Sequence, residues 1–370
     1  LLYFLGPKIA NLVPGGATLP QFINIRYGRT AQIVVSLVAI IYMSAFLVAE
    51  FASINFLFPS IAEVSGLRIM ILVGVFTYAY LKKSGFKASY ITDKFQGIGI
   101  ILLLIVLFSI WFNQNSFTEI VNYSKLGGLG TFETFSLKSA LAVILAVTAA
   151  EIFSQGYWQR TFSAKNEKTI KKASVISAIG AFLTILLIGV AGDVGAGKGL
   201  ESPTLSFIGQ LDLNLFSSVL LVSLCTLLVA SSIDTLENAI SSTISLDLIG
   251  KGAKEAQYIT LAIITFAIFA AIYVTNIFSV FLVADLLATC LVFPAFYKLK
   301  SKSKDHFLLF PFVFSLLSVF IYRYIFIDLT NNPGGIFIPT DLYGLADLNT
   351  FLVGFFTSIV LTFAYDKISK

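Results

Sequence analysis

Charge is what this chain of 370 residues has least of: Asp, Glu, Lys and Arg together make up 12% of it. A soluble domain carries about 25%. With 57% hydrophobic residues and a mean hydropathy of +0.89, the chain belongs in a bilayer. Histidine is nearly absent. The one present, His306, stands beside Lys304 and Asp305 at the start of an apolar run, whereas a metal site draws on several ligands. The two cysteines, Cys225 and Cys290, sit in apolar runs, read as buried thiols, and say little about redox compartment. Linker-like stretches are missing too, so residues 1–370 read as a single transmembrane domain. The chain has no nucleophile–base pair and no phosphate-cradling loop, which argues against an enzyme. Nor does any motif call for an organic cofactor or a nucleic-acid partner.

What is present is a series of apolar runs of spanning length, near 31–57, 68–83, 91–113, 137–158, 173–192, 214–248, 257–275, 277–297, 306–327 and 347–365. A spanning helix needs roughly 20 residues, and the connections are polar or rich in Gly and Pro, as bilayer exits should be. The expectation is an all-α polytopic membrane protein of about ten spans. Residues 1–13 hold a shorter run broken by Gly6, Pro7 and Lys8. It reads as the tail of a helix whose start is missing or as an interfacial segment, and the first is expected. The chain opens on Leu1 without a signal-peptide pattern.

If successive spans alternate, 19 of the 25 Lys and Arg fall on one side, from Arg26 and Arg29 to Lys367 and Lys370. Only Arg68, Lys125, Lys138, Lys198 and Arg323 fall on the other, with Lys8 left uncounted. The rich side is cytoplasmic by the positive-inside bias. The C-terminus is then inside, and the loops at 114–136, 193–213 and 328–346 are outside.

The run 214–248 carries an unusual load. Ser231, Thr235, Asn238, Ser242 and Ser245 fall within about 40° of one line at 100° per residue, and Asp234 and Ser241 flank that line. A carboxylate at a helix centre costs roughly 2.5–3.5 kcal/mol on the insertion scale, so the stripe faces protein, water or ions. Isolated hydroxyls serve as helix–helix glue. The adjacent pair Ser231 and Ser232, followed one turn on by Asp234 and Thr235, points instead to a hard monovalent cation, with carbonyls of unwound helix completing the shell. Glu50, Glu151, Glu237 and Asp285 also lie in or near the ends of apolar runs. Such groups mark ion or proton pathways or pair structurally.

Three further stretches carry a resemblance: "TLPQFINIRYG" (18–28), "GFKASYITDKFQ" (85–96) and "QGYWQRTFSAKN" (155–166). With "SSIDTLENAISSTISLDL" (231–248) in order after them, the chain resembles the solute:sodium symporter family. Gln21 stands where the family usually has Glu. The resemblance implies the five-plus-five inverted-repeat fold shared with the leucine transporter, lacking its first core helix, with 1–13 as the end of the second. It also implies sodium as coupling ion, bound by the carbonyl of Leu228 and the hydroxyls of Ser231 and Ser232. A second cation site maps to Asp93, Asp234 and Thr235 together with Ser231. Asp234 replaces a hydroxyl there, so the two carboxylates bind a cation more strongly or one keeps its proton.

For the solute, the resemblance implies a pocket at the end of helix 137–158, with Ser154, Gln155 and Gln159 as polar candidates. Tyr157 and Trp158 are gates or interfacial anchors, and Arg160 is expected to be a cytoplasmic anchor. The function implied is sodium-coupled symport of a small polar organic solute at the cell membrane. The alternatives are a proton-coupled symporter of the urea and polyamine branch and a symporter-like sensor domain.

Overall fold

In hydrocarbon every backbone N–H and C=O must be satisfied within its own segment, and the apolar runs accordingly fold as helices. The computed structural model describes all residues except 63, 129, 132, 201–205, 251–252, 275, 300, 328–332 and 369–370. The expected placements of Lys251, Lys300 and Lys370, and parts of the three outside loops, therefore lie outside the described residues. The helices are α1 (Leu2–Leu12), α2 (Leu19–Tyr27), α3 (Arg29–Ala62), α4 (Gly66–Ser84), α5 (Phe86–Gln114), α6 (Phe117–Gly127) and α7 (Thr134–Ala150). After them come α8 (Gln155–Phe162), α9 (Glu167–Gly197), α10 (Leu215–Ser242), α11 (Ala253–Tyr273), α12 (Ile277–Phe296), α13 (His306–Phe326) and α14 (Leu348–Ile368). Polar caps start several of them. Asn166, Asn214 and Asn276 accept from the backbone N–H three residues on, and Ser116 with Glu119 forms a capping box.

Among the described residues, nine helices are long and apolar enough to cross a bilayer. The segment expected as a span at 68–83 folds as α4, 19 residues long, with Arg68 near one end and Lys82 near the other. Its uncharged stretch is short for hydrocarbon, and it packs among α3, α5, α10 and α11. The run 137–158 is not one helix. It breaks after α7 into a three-residue 3₁₀ turn, Glu151–Phe153, and restarts as α8. The run 214–248 is continuous but ends in a π-helical turn, Thr243–Ile249, closed by Gly250 at φ +69°, a left-handed stop that favours glycine.

Burial separates the centre from the rim. Just over half of α3's apolar window (56%) and half of α12's are buried, against 6% of α9's. Helix α10 lies against α3 and α5, while α12 lies against α3, α7, α13 and α14. At the rim, α9 crosses α6 at near-backbone contact. A Cβ on Gly197 would stand 1.9 Å from the Tyr123 carbonyl oxygen, and one on Gly127 1.9 Å from that of Asp193. Only separating the helices relieves such overlap. We expect Gly197→Ala to destabilise the protein by about 1–3 kcal/mol, read as a lower thermal-unfolding midpoint in detergent. Gly180→Ala, on the same helix with nothing within 4 Å of its Cβ, should leave the midpoint unchanged or raise it.

The 18–28 motif works as a staple. The Tyr27 hydroxyl donates to the Pro294 carbonyl (2.7 Å), and Arg26 donates to the carbonyls of Ala295 (3.1 Å) and Ser301 (3.0 Å). The Pro294 and Ala295 carbonyls are among the free ones expected at the end of α12, and that of Ser301 lies in the segment after it. At the other end of α2, the hydroxyl of Thr18 donates to Asp247 in the π-turn (3.0 Å), which also accepts from Gln32 (3.2 Å).

Candidate cation and solute sites

The polar stripe of α10 faces α5, α4 and α8, not lipid. Asp234 is fully buried and accepts from four hydroxyls: Tyr80 (2.5 Å), Ser89 (2.9 Å), Thr92 (3.1 Å) and Thr235 (3.2 Å). Across the seam, Asp93 accepts from Ser231 (3.3 Å) and from the guanidinium of Arg160 (2.5 Å). The same Arg160 nitrogen donates to Thr235 (2.9 Å). Ser231, Asp234 and Thr235 of α10 thus meet Asp93 of α5 in one cluster. The expectation for Arg160 is corrected: its side chain reaches back from α8 into the cluster and supplies a positive charge between Asp93 and Thr235. A tally of charges by loop counts only where a residue leaves the bilayer, not where a six-atom side chain can reach. Gly156 makes the approach possible, since a Cβ there would lie 2.8 Å from the Thr235 methyl.

Of the first sodium set, Ser231 and Ser232 are half-buried on α10, which packs against α3, the helix of Glu50. Leu228 is one turn before them, its side chain 37% exposed. Glu237 is fully buried. One of its oxygens accepts from Thr77 (3.1 Å), and the other has no partner among the described residues.

The break between α7 and α8 frees carbonyls that the turn's backbone and two side chains then satisfy. The Glu151 carbonyl accepts from the Ser154 N–H (3.2 Å), that of Ile152 from the Trp158 indole (2.6 Å), and that of Phe153 from the Gln155 amide (3.0 Å). Trp158 is fully buried, so it locks the break instead of anchoring at the interface, while Tyr157 stays exposed. Ser154 forms the turn into α8. Gln155 is buried with both ends of its amide engaged, accepting from the Leu19 N–H (2.8 Å) as well as donating to Phe153. Gln159 donates to Ser242 (2.6 Å) and accepts from Asn238 (2.9 Å). The structure therefore places Gln155 as a tie to α2 and Gln159 as a tie to the stripe, apart from Ser154. Further along α10, Asn238, Ser242 and Ser245 line a cavity of about 490 Å³ shared with Tyr78, Lys82 and Gln257.

Two groups carry more than their positions in the sequence suggest. Ser89 and Thr92 share a helix face with Asp93, a spacing visible in "SYITD". Tyr80 leaves no such trace, because its partner is chosen by how α4 packs.

No protein-family model matches the chain. It is similar to the spermidine transporter DUR31 of Candida albicans, at 28% identity over 303 residues, covering 78% of this chain. The chain spans 57% of the length of that relative. Its structure superposes on a Na+-coupled sialic acid symporter, solved in a substrate-bound outward-open state, with a TM-score of 0.66. That match covers 99% of this chain and 82% of the other at 15% identity. The fold is that of a membrane transporter. Both similar proteins are transporters, not enzymes, and the apolar helices make this chain a multi-pass membrane protein.

Proposed function

We propose that the chain is the transport domain of a sodium-coupled symporter that moves a small polar organic solute through the cell membrane by alternating access, with its C-terminus cytoplasmic. The observation that carries this reading is the seam between α5 and α10. There, two carboxylates and a set of hydroxyls gather deep in an apolar bundle, at 2.5–3.3 Å from one another or from Arg160. Hard cations favour such oxygen sets. Sodium binds at Leu228, Ser231 and Ser232, and a second cation at Asp93, Asp234 and Thr235, where it takes over the charge now supplied by Arg160. The solute lies at the α7–α8 break, because discontinuous helices build midplane sites in transporters of this architecture. The fungal relative is named for spermidine, which makes an organic amine the solute class we favour. The cavity below Asn238 serves as its way to the cytoplasm.

The test is uptake by the complete protein in proteoliposomes with an inward sodium gradient. Accumulation should need sodium, and a proton gradient alone should not replace it; the reverse result would transfer the coupling to protons. A Ser231→Ala/Ser232→Ala double variant should raise the half-saturating sodium concentration by about tenfold or more, a loss of at least about 1.4 kcal/mol. Unchanged sodium dependence in that variant removes the proposed first site.

A further inference from the structure

We infer that Asp285 and Glu151, with the rings of Tyr42, Phe46 and Phe281, form a binding site for an organic ammonium group at the helix break. This rests on the solute-transport reading above and assigns the residues that would recognise the charge. Helices α3 and α12 pack against each other and against the α7 end of the break, bringing Tyr42, Asp285 and Glu151 together. Asp285 is only 2% exposed, and its Oδ1 has no hydrogen-bond partner among the described residues. Glu151 opens the 3₁₀ turn of the break, which α3 contacts, and α12, the helix of Asp285, packs against α3 and α7 beside it. Among the described residues no Lys, Arg or His lies within 4 Å of either carboxylate. Two neighbouring acids, the inner one buried, are stabilised either by a proton held between them or by a positive charge, and an ammonium group supplies that charge.

The neighbouring rings point to what carries that charge. Tyr42 and Phe46 lie with centroids 4.7 Å apart, and Phe46 and Phe281 with centroids 4.3 Å apart. Phe281 is one turn before Asp285 on α12. Carboxylates beside aromatic faces are the recognition chemistry of ammonium groups. A neutral solute would leave the acids unpaired, and an anion would be repelled. Tyr157 is exposed and Glu151 half-buried, so they form the approach, with Asp285 at the closed end. Glu50 is eight residues beyond Tyr42 on α3, about 12 Å along the axis. It stands on the same helix as a further carboxylate for the far end of a di- or polyamine.

The experiment measures binding of labelled spermidine to the complete purified protein, with urea as a neutral competitor, and records sodium-induced thermal stabilisation alongside. Wild type should bind spermidine, and urea in excess should not displace it. Asp285→Asn should weaken spermidine binding by at least about 30-fold, as expected for truncating one side of a buried charge pair, while keeping the sodium response. Should Asp285→Asn fail to fold, Phe46→Leu provides the reading, with a several-fold loss for spermidine. Equal spermidine affinity in wild type and in the folded variant, or displacement by urea, overturns the ammonium site. A wild type that sodium does not stabilise overturns the symporter reading instead.

Discussion

Arg323→Leu should be the most damaging single change in the chain, lowering stability by about 3–5 kcal/mol, as when one partner of a buried charge pair is removed. Arg323 is fully buried at the end of α13. Its guanidinium donates to the carbonyls of Gly335, Ile338 (2.7 Å) and Thr340 (3.0 Å), to the Thr350 hydroxyl (2.7 Å) and to Asp347 (3.3 Å). The leucine variant strips the donors from these acceptors at once and leaves Asp347 without its cation. The segment 333–347 would lose its hold on α13, and α14 would lose its anchored start. The measurement is the thermal-unfolding midpoint in detergent, with size-exclusion chromatography to follow aggregation. Arg323→Lys should recover only part of the loss, because an ammonium carries the charge but not the planar fan of donors. A leucine variant that unfolds at the wild-type temperature would contradict this account.

Asp234→Ala should rank next. Its side chain is the common acceptor for hydroxyls from α4, α5 and α10. Without it, at least the Tyr80 and Ser89 hydroxyls lose an acceptor in a buried setting, at about 1–3 kcal/mol each. We expect a loss of about 3 kcal/mol, again read from the unfolding midpoint. Asp234→Asn separates packing from charge. The amide keeps an acceptor oxygen and should cost less stability, but it removes one of the two negative charges facing the second cation. Its sodium-induced stabilisation should therefore need at least about ten times more sodium, a shift of about 1.4 kcal/mol. A full sodium response in the asparagine variant would mean that the second site is not built on this carboxylate.

The stripe from Ser231 to Ser245 could be read from spacing alone, because hydroxyls and carboxylates in an apolar run have few places to go except toward other protein. Asp93 was marked by the family resemblance of its stretch and not by spacing, although it lies one turn after Ser89 on a helix face. What spacing did not convey was partnership. Tyr80 and Thr77 reach Asp234 and Glu237 only because α4 packs against α10, a tertiary fact with no local trace. The break at 151–154 was hidden by composition: 137–158 is apolar enough to pass as one helix, and the carbonyls that expose the interruption are satisfied by Trp158 and Gln155 from within the same segment. The π-turn was hidden for another reason. It changes the helical period only over Thr243–Ile249, too few residues to disturb a pattern set by the preceding turns. Asp285 was visible as a buried acid, whereas its lack of a partner emerged only in the folded bundle.

The short helix α2 grips two distant chain ends at once, the last carbonyls of α12 through Arg26 and Tyr27 and the π-turn after α10 through Thr18. Its nine residues are too short to flex like a hinge. A swing of α10 would consequently be transmitted as leverage to the helix that bears Asp285, so the two travel together or the clasp between them tears.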